Sequence, residues 1–193
     1  METCNFFAII SRMKYIHRWG LMNNTRQENL CEHSIEVAII AHALATIRNV
    51  RFGGSVNPER AALLGIYHDS SEIITGDLPT PIKYYNAEIK KAYKEIERNA
   101  QNSLVNMLPE DLKGEYSTII NPVDTDKELL VLVKAADKLS ALIKCTEELR
   151  FGNKEFTHAE QATKRSLEKM NIPEVNVFIT EMLPAYSLTI DEQ

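Results

Sequence analysis

Apolar positions recur at helical spacing along most of the chain. Phe6, Ile9, Ile10 and Met13 lie three and four residues apart, which predicts a first helix over 6–16. HRWGLMNNTRQ follows as a loop, with Gly20 and the Asn23–Asn24 pair as turn formers. A second helix begins at Asn29, whose side chain can cap it while Glu32 reaches back three residues later. Its body, LCEHSIEVAIIAHALATIRNV, is apolar around most of its circumference and so belongs at the centre of a core. Gly53 and Gly54 end it. NPERAALLGIYHDSSEII predicts a third helix, with Asn57 as cap and Pro58 at the first helical position, where no amide hydrogen is needed. Gly76 and DLPTP stop it, because proline lacks a donor and restricts the residue before it. A stiff loop over 76–81 should follow directly.

The second half reads the same way. A solvated fourth helix over 86–108 carries Ile89, Ala92, Tyr93, Ile96 and Ala100 among its charges, and Pro109 closes it. TDKELLVLVKAADKLSALIKCTEELRFG is a fifth helix, with Thr125 and Glu128 spaced as a capping box and Gly152 as a left-handed exit. Thr157 with Glu160 marks another start, and a short helix begins near Pro173. The run 175–179 is the one segment that also suits a strand. There is no repeat, no Rossmann fingerprint and no P-loop. The pattern predicts an all-α protein, a compact helical bundle of about six to eight helices forming one domain over 1–193.

Composition narrows the function. The chain has 193 residues, 44% of them hydrophobic, which suits one substantial core. With 22 basic and 27 acidic residues the formal net charge is −5, so no general basic field would attract a nucleic acid polymer. A local basic patch for a small phosphorylated ligand stays open. Cys4, Cys31 and Cys145 are odd in number and form no CxxC pair, as expected of reduced thiols in a cytoplasmic protein. No basic region followed by a cleavage site opens the chain, and no run of 18 apolar residues occurs, so neither a signal peptide nor membrane attachment is expected.

Ionisable residues inside apolar helices change the picture further. IYHDSSEIITGDLPTP places His68, Asp69, Glu72 and Asp77 within ten residues. His68 to Glu72 is i,i+4 and Asp69 to Glu72 is i,i+3, so on one continuous helix all three can look to one side. His33 lies near the start of the apolar second helix. Asp137 shares a face with Leu130, Val133, Ser140 and Ala141 on the fifth. Buried carboxylates are costly unless paired or metal-bound. Hydrogen-bonded core histidines and salt bridges to Arg or Lys are one explanation. A divalent ion between two imidazoles and two carboxylates is the other, with Mn, Co, Fe, Ni or Zn all compatible with that donor set.

His33, His68–Asp69 and Asp137 stand as H…HD…D. This order resembles the motif of the HD superfamily of metal-dependent phosphohydrolases. FFAIISRMKYIHRWGLM, ENLCEHSIEVAIIAHALA, YHDSSEIITGDLPTPIKYYN and ADKLSALIKCTEEL make the chain similar, over nearly its whole length, to the bacterial 5'-deoxynucleotidases. The resemblance implies release of phosphate from deoxyribonucleoside 5'-monophosphates. It implies one divalent metal ion per subunit, cobalt, manganese or another transition metal, held by His33, His68, Asp69 and Asp137. It implies substrate contacts from Arg18, Trp19, Asp77, Leu78, Pro79 and Thr80, with the ligands His33, Asp69 and Asp137 also facing substrate. Glu72 and Asp77 would handle protons, and the protein would be a homodimer. Trp19 would select a 2'-deoxy sugar over ribose. Other reactions known on the same scaffold, on phosphodiesters, deoxynucleoside triphosphates or (p)ppGpp, are alternatives, as are a non-catalytic nucleotide sensor and a purely structural helical domain. His17, His42 and His158 read as structural or solvent-edge residues, and Lys83, Tyr84 and Tyr85 as the rim of the loop.

Overall fold

The computed structural model describes residues 3–83 and 85–193, with the side chains of 80 and 81 outside the described set. The architecture is all-α. Among the described residues there is no strand, only one antiparallel bridge between His17 and Asn29. The helices are α1 (Phe6–Ile10), α2 (Leu30–Phe52), α3 (Pro58–Tyr67), α4 (Glu72–Thr75), α5 (Thr80–Lys83), α6 (Ala87–Asn106), α7 (Glu110–Ile120), α8 (Lys127–Arg150), α9 (Thr157–Met170) and α10 (Pro173–Val177).

α2 starts where its capping chemistry places it. The Asn29 side chain accepts from the Cys31 and Glu32 amides, and Glu32 accepts from the Asn29 amide. It ends at Gly53, in the left-handed conformation at φ 68°, which suits a residue without a Cβ. Val37, Ile40, Ala41, Leu44 and Ala45 are buried against α3 and α8, whose Leu64, Leu132, Ala135, Ala136 and Leu139 complete the main core. α2 is also long and apolar enough to cross a membrane by length and composition, yet 56% of that window is buried in the bundle, as in a core helix.

Small residues let the three central helices approach closely. A Cβ on Gly65 of α3 would lie 2.8 Å from the Ala38 Cα and 3.0 Å from its nitrogen, so the α2 and α3 backbones touch there. Arg60, at the start of α3, donates to both Asp126 oxygens and to the Thr118 carbonyl, which fixes α3 against the entry to α8. Arg48 joins the end of α2 to Glu128 of α8 and Glu174 of α10. A second cluster, Phe6, Leu104, Val105, Leu108 and Ile120, seats α1 on α6 and α7.

Several local expectations are corrected. The first helix turns 3₁₀ at Ser11–Tyr15. The third stops at Tyr67, and tighter turns carry the chain to α4: the Ser70 amide donates to Tyr67 O, and the Glu72 amide to Asp69 O. α7 was not anticipated, although Glu110 and Asp111 after Pro109 are a helix-start signal. The Thr125–Glu128 capping box does not form, whereas the helix start marked by Thr157 is where it was expected. A 3₁₀ turn at Asp124–Asp126 leads into α8 while Glu128 turns to Arg48, and α9 starts at Thr157 with Glu160 bonded to Lys164. Ile89, Ala92 and Ile96 of α6 face outward, and only Tyr93 and Ala100 of that expected stripe are buried. The run 175–179 is helical, passing from α10 into a π turn at Phe178–Met182.

The Gly65–Ala38 contact yields a stability prediction. Gly65→Ala should cost about 1–3 kcal/mol through overpacking, despite alanine's better helix propensity. Urea unfolding checks it, and an equally stable variant would show that the two backbones have room.

Candidate metal centre

The close α2–α3 contact brings His33 and His68 together, with ring centroids 5.2 Å apart. One ligand atom each from His33, His68 and Asp69 lies within 4.8 Å of the other two. Asp137 joins from α8, its Oδ1 3.3 Å from His33 Nε2. Asp69 Oδ2 lies 3.1 Å from His68 Nε2 and 3.6 Å from His33 Nε2. His33, His68 and Asp69 therefore converge, and Asp137 approaches this cluster at His33 Nε2.

Hydrogen bonding decides what that point can hold. His68 Nδ1 is 2.8 Å from the Gly65 carbonyl, which can only accept, so Nδ1 carries a proton. His33 Nδ1 is 3.0 Å from Ser140 Oγ, whose own proton goes to Glu36 Oε2 at 2.5 Å. That leaves both Nε2 atoms with lone pairs, and both are buried without a hydrogen-bond partner. Lone pairs facing carboxylate oxygens repel unless a cation stands between them. A proton on His68 can pair its Nε2 with Asp69 at 3.1 Å, but His33, with its proton on Nδ1, still turns a bare Nε2 toward Asp137. The donor set fits a divalent transition metal.

The charges respond as expected around such a cation position. Burial alone would lower the His68 pKa, but Asp69 and Asp137 outweigh it and raise it to about 9. A proton there and a divalent ion answer the same negative field. Asp69 is held below the usual carboxylate range although burial opposes this, because His68, His33 and Arg18 surround it. His33 is pushed down, first by burial and then by Arg18, which keeps it neutral and able to ligate.

Glu72 is buried beside this cluster. Its amide donates to the Asp69 carbonyl one turn back, and the Asp69 charge acts on it. Lys83 Nζ lies 3.1 Å from Glu72 Oε1, while Oε2 is buried without a partner. Burial, then Asp69, pushes the Glu72 pKa up to about 8, against the pull of Lys83. Lys83 was expected at the loop rim. Instead it is a largely buried cation between Glu72 and Glu97, with its ammonium 4.8 Å from the Tyr93 ring centre.

The loop between α1 and α2 supplies Arg18 and Trp19. The Arg18 amide donates to Glu28 O and the Leu30 amide to Ile16 O, closing the loop at its base. Arg18 reaches Asp69 at 3.5 Å and Glu28 at 3.3 Å. Trp19 sits at φ 58°, a left-handed conformation that costs a non-glycine residue about 1–2 kcal/mol. Its Nε1 donates to Glu28 at 2.8 Å, its carbonyl accepts from the Met22 amide and from Asn24 Nδ2, and its ring packs on Phe156. Local strain held by this many contacts marks a position that matters.

Glu148 of α8 anchors the rest of that loop. Buried, it accepts from the Thr25 amide and hydroxyl, the Arg26 amide, Asn153 and Lys144. Asp77, Leu78 and Pro79 lie half-buried between α4 and α5, and the Asp77 charge acts on both Arg18 and Glu72. The Thr80 side chain and Tyr84 lie outside the described residues. His17, His42 and His158 are exposed, as expected. Glu28, Glu36, Ser140 and Lys83 were not singled out as site residues. They lie one shell behind the motif, and nothing in their spacing distinguishes them from ordinary surface polar residues.

A family model described as 5'-deoxynucleotidase YfbR-like matches residues 5–186. The chain belongs to this family. It is an HD-superfamily metal-dependent phosphohydrolase, as the H…HD…D order implied. A 5'-deoxynucleotidase of Pectobacterium atrosepticum is 50% identical over 192 residues, 100% of this chain and 96% of its own length. The Escherichia coli protein named 5'-deoxynucleotidase YfbR is 49% identical over the same share of each chain. The HD-domain phosphohydrolase of Listeria innocua shares the fold, with a TM-score of 0.78 at 22% identity over 94% of this chain and 88% of that one.

Glu148 generates the prediction here. Burial would raise its pKa, but Lys144, Thr25 and Asn153 lower it to about 2, against an ordinary value of 4.5. Its contribution to stability is complete above pH 4.5 and is lost as pH falls toward 2. Glu148→Ala should cost about 3–5 kcal/mol near neutral pH, since it leaves Lys144 buried and unpaired. It should also flatten the acid decline in stability. Urea unfolding across pH checks both effects.

Proposed function

We propose that this phosphohydrolase is a 5'-deoxynucleotidase, converting deoxyribonucleoside 5'-monophosphates and water to deoxyribonucleosides and phosphate. The observation carrying this reading is the pair of orphaned imidazole nitrogens facing Asp69 and Asp137 beside Arg18, in a chain about half identical to proteins of that name. In it, His33, His68, Asp69 and Asp137 hold one divalent ion, which when bound lowers the pKa of water and neutralises phosphate charge. Arg18 offers forked donors to the phosphate oxygens. Glu72, with a buried free oxygen and a pKa near 8, takes a proton from the attacking water. The water oxygen bonds to phosphorus as the bond to the 5' oxygen breaks, and Asp77 supplies the proton that the departing oxygen needs. Trp19, fixed by Glu28 and Phe156, stands against C2' and leaves no room for a ribose hydroxyl. Leu78 and Pro79 contact substrate, as does Thr80, whose side chain lies outside the described residues. The reading also carries manganese or cobalt as the ion, a single HD-type unit over 1–193, a homodimer, and a cytoplasmic location.

Phosphate release from dAMP, AMP and 3'-dAMP tests it, using chelated protein with and without added Mn²⁺ or Co²⁺. Release from dAMP that the ion restores, with much less from the other two, is expected. Pyrophosphate or tripolyphosphate release from nucleoside di- or triphosphates would point to another reaction on the same ligands. Trp19→Ala should narrow the preference for dAMP over AMP by about 10-fold or more. An unchanged ratio would rule out the proposed sugar filter.

Lys83→Met gives a pH test. Lys83 lowers the Glu72 pKa, so its removal should move the acid limb of kcat/KM to higher pH. Lys83→Arg should restore the limb, whereas an unmoved limb in Lys83→Met would remove Glu72 as the proton acceptor.

A further inference from the structure

α8 grips both edges of the His33 ring. Asp137 approaches Nε2 at 3.3 Å, and Ser140, one helical turn on, lies 3.0 Å from Nδ1. α2 repeats that spacing, since Glu36 is one turn beyond His33 and accepts the Ser140 proton at 2.5 Å. Ser140 is fully buried, so its single proton and lone pairs have few other uses. Glu36 opens onto a cavity of about 200 Å³ that Arg26, Lys144 and Glu147 also line, on the side of His33 away from Asp69 and Asp137. Glu28 is the other acceptor facing this edge, but its carboxylate lies 3.8 Å from Nδ1.

A serine hydroxyl can point its proton either way. Toward Glu36, it must accept from His33 Nδ1–H, which leaves Nε2 free to ligate. Toward His33, it would donate to the Nδ1 lone pair, and the ring proton would sit on Nε2, where an ion could not bind. The carboxylate settles the direction once Glu36 is ionised, because it can then only accept; burial raises its pKa to about 7, so at pH 8 the ionised form dominates.

We propose that Ser140 and Glu36 are positioning residues for metal binding: a carboxylate–serine–histidine relay that holds His33 in the tautomer whose Nε2 can ligate a divalent ion. A carboxylate commonly orients a ligating histidine directly. Here the serine of one core helix is interposed, so the relay also ties α2 to α8 behind the site. This inference rests on the metal-centre reading and adds to it two residues that touch neither ion nor substrate.

The test is Mn²⁺ affinity at pH 8 by chelator competition, together with the ¹⁵N signature of His33 in metal-free protein. Wild type should bind one ion per chain and show His33 protonated at Nδ1. Ser140→Ala should bind Mn²⁺ about 10- to 100-fold more weakly and lose the pure Nδ1–H signature. Glu36→Gln, which keeps a hydrogen bond but can donate as well as accept, should fall between the two. Affinity and tautomer unchanged in both variants would overturn the inference, even if their melting temperatures fell. If Ser140→Ala does not fold, Glu36→Gln decides by the same criterion. Wild type that binds no ion would overturn the metal centre itself, and the relay with it.

Discussion

Two imidazole nitrogens with free lone pairs face two carboxylates at the junction of α2, α3 and α8, and much of the structure exists to hold that repulsive arrangement in place. Without a metal ion, or a proton on His68 in its place, it is unfavourable. It persists because each ring is fixed from behind, His68 by the Gly65 carbonyl and His33 by Ser140. The Gly65–Ala38 contact has the same purpose at the level of backbone, since a side chain at Gly65 would push His68 away from His33. The core thus stores a geometry that a divalent ion relieves, and binding should stabilise the fold accordingly.

Around the ion position, the groups proposed to meet substrate are held by buried acids rather than by apolar packing alone. Glu28 takes hydrogen bonds from both Arg18 and Trp19. Glu148 gathers the loop's amides and Lys144. Lys83 offsets the burial of Glu72 while leaving one of its oxygens free. Arg18 and Trp19 sit on a loop, yet its base bridge and the Glu148 anchor give it the rigidity of a helix end.

Much of this was legible in the sequence. Asn29, Asn57, Pro58, Gly53 and Gly152 act through local backbone chemistry, so they mark helix ends wherever they stand. His33, His68, Asp69 and Asp137 were conspicuous because charge inside an apolar helix is costly. Glu36, Ser140, Lys83 and Glu28 were not, because each looks like an ordinary polar residue until the packing of another helix brings its partner to it. The interruption after Tyr67 was hidden for a related reason. Periodicity cannot separate a continuous helix from one that tightens for a turn. Thr125–Glu128 matched a capping box in spacing alone, and a stronger partner, Arg48, took Glu128. The outward face of Ile89 and Ile96 shows the same limit, since amphipathic spacing does not say which helix is covered.

The central claim is that one divalent ion is shared by imidazoles and carboxylates from three core segments. X-ray absorption spectroscopy of the zinc-loaded protein tests it most directly. The account predicts one zinc per chain with nitrogen and oxygen ligands at about 2.0–2.2 Å, no sulfur, and outer-shell scattering from two imidazole rings that falls to one ring in His68→Ala. A shell of oxygen alone, or a spectrum that His68→Ala leaves unchanged, would contradict it.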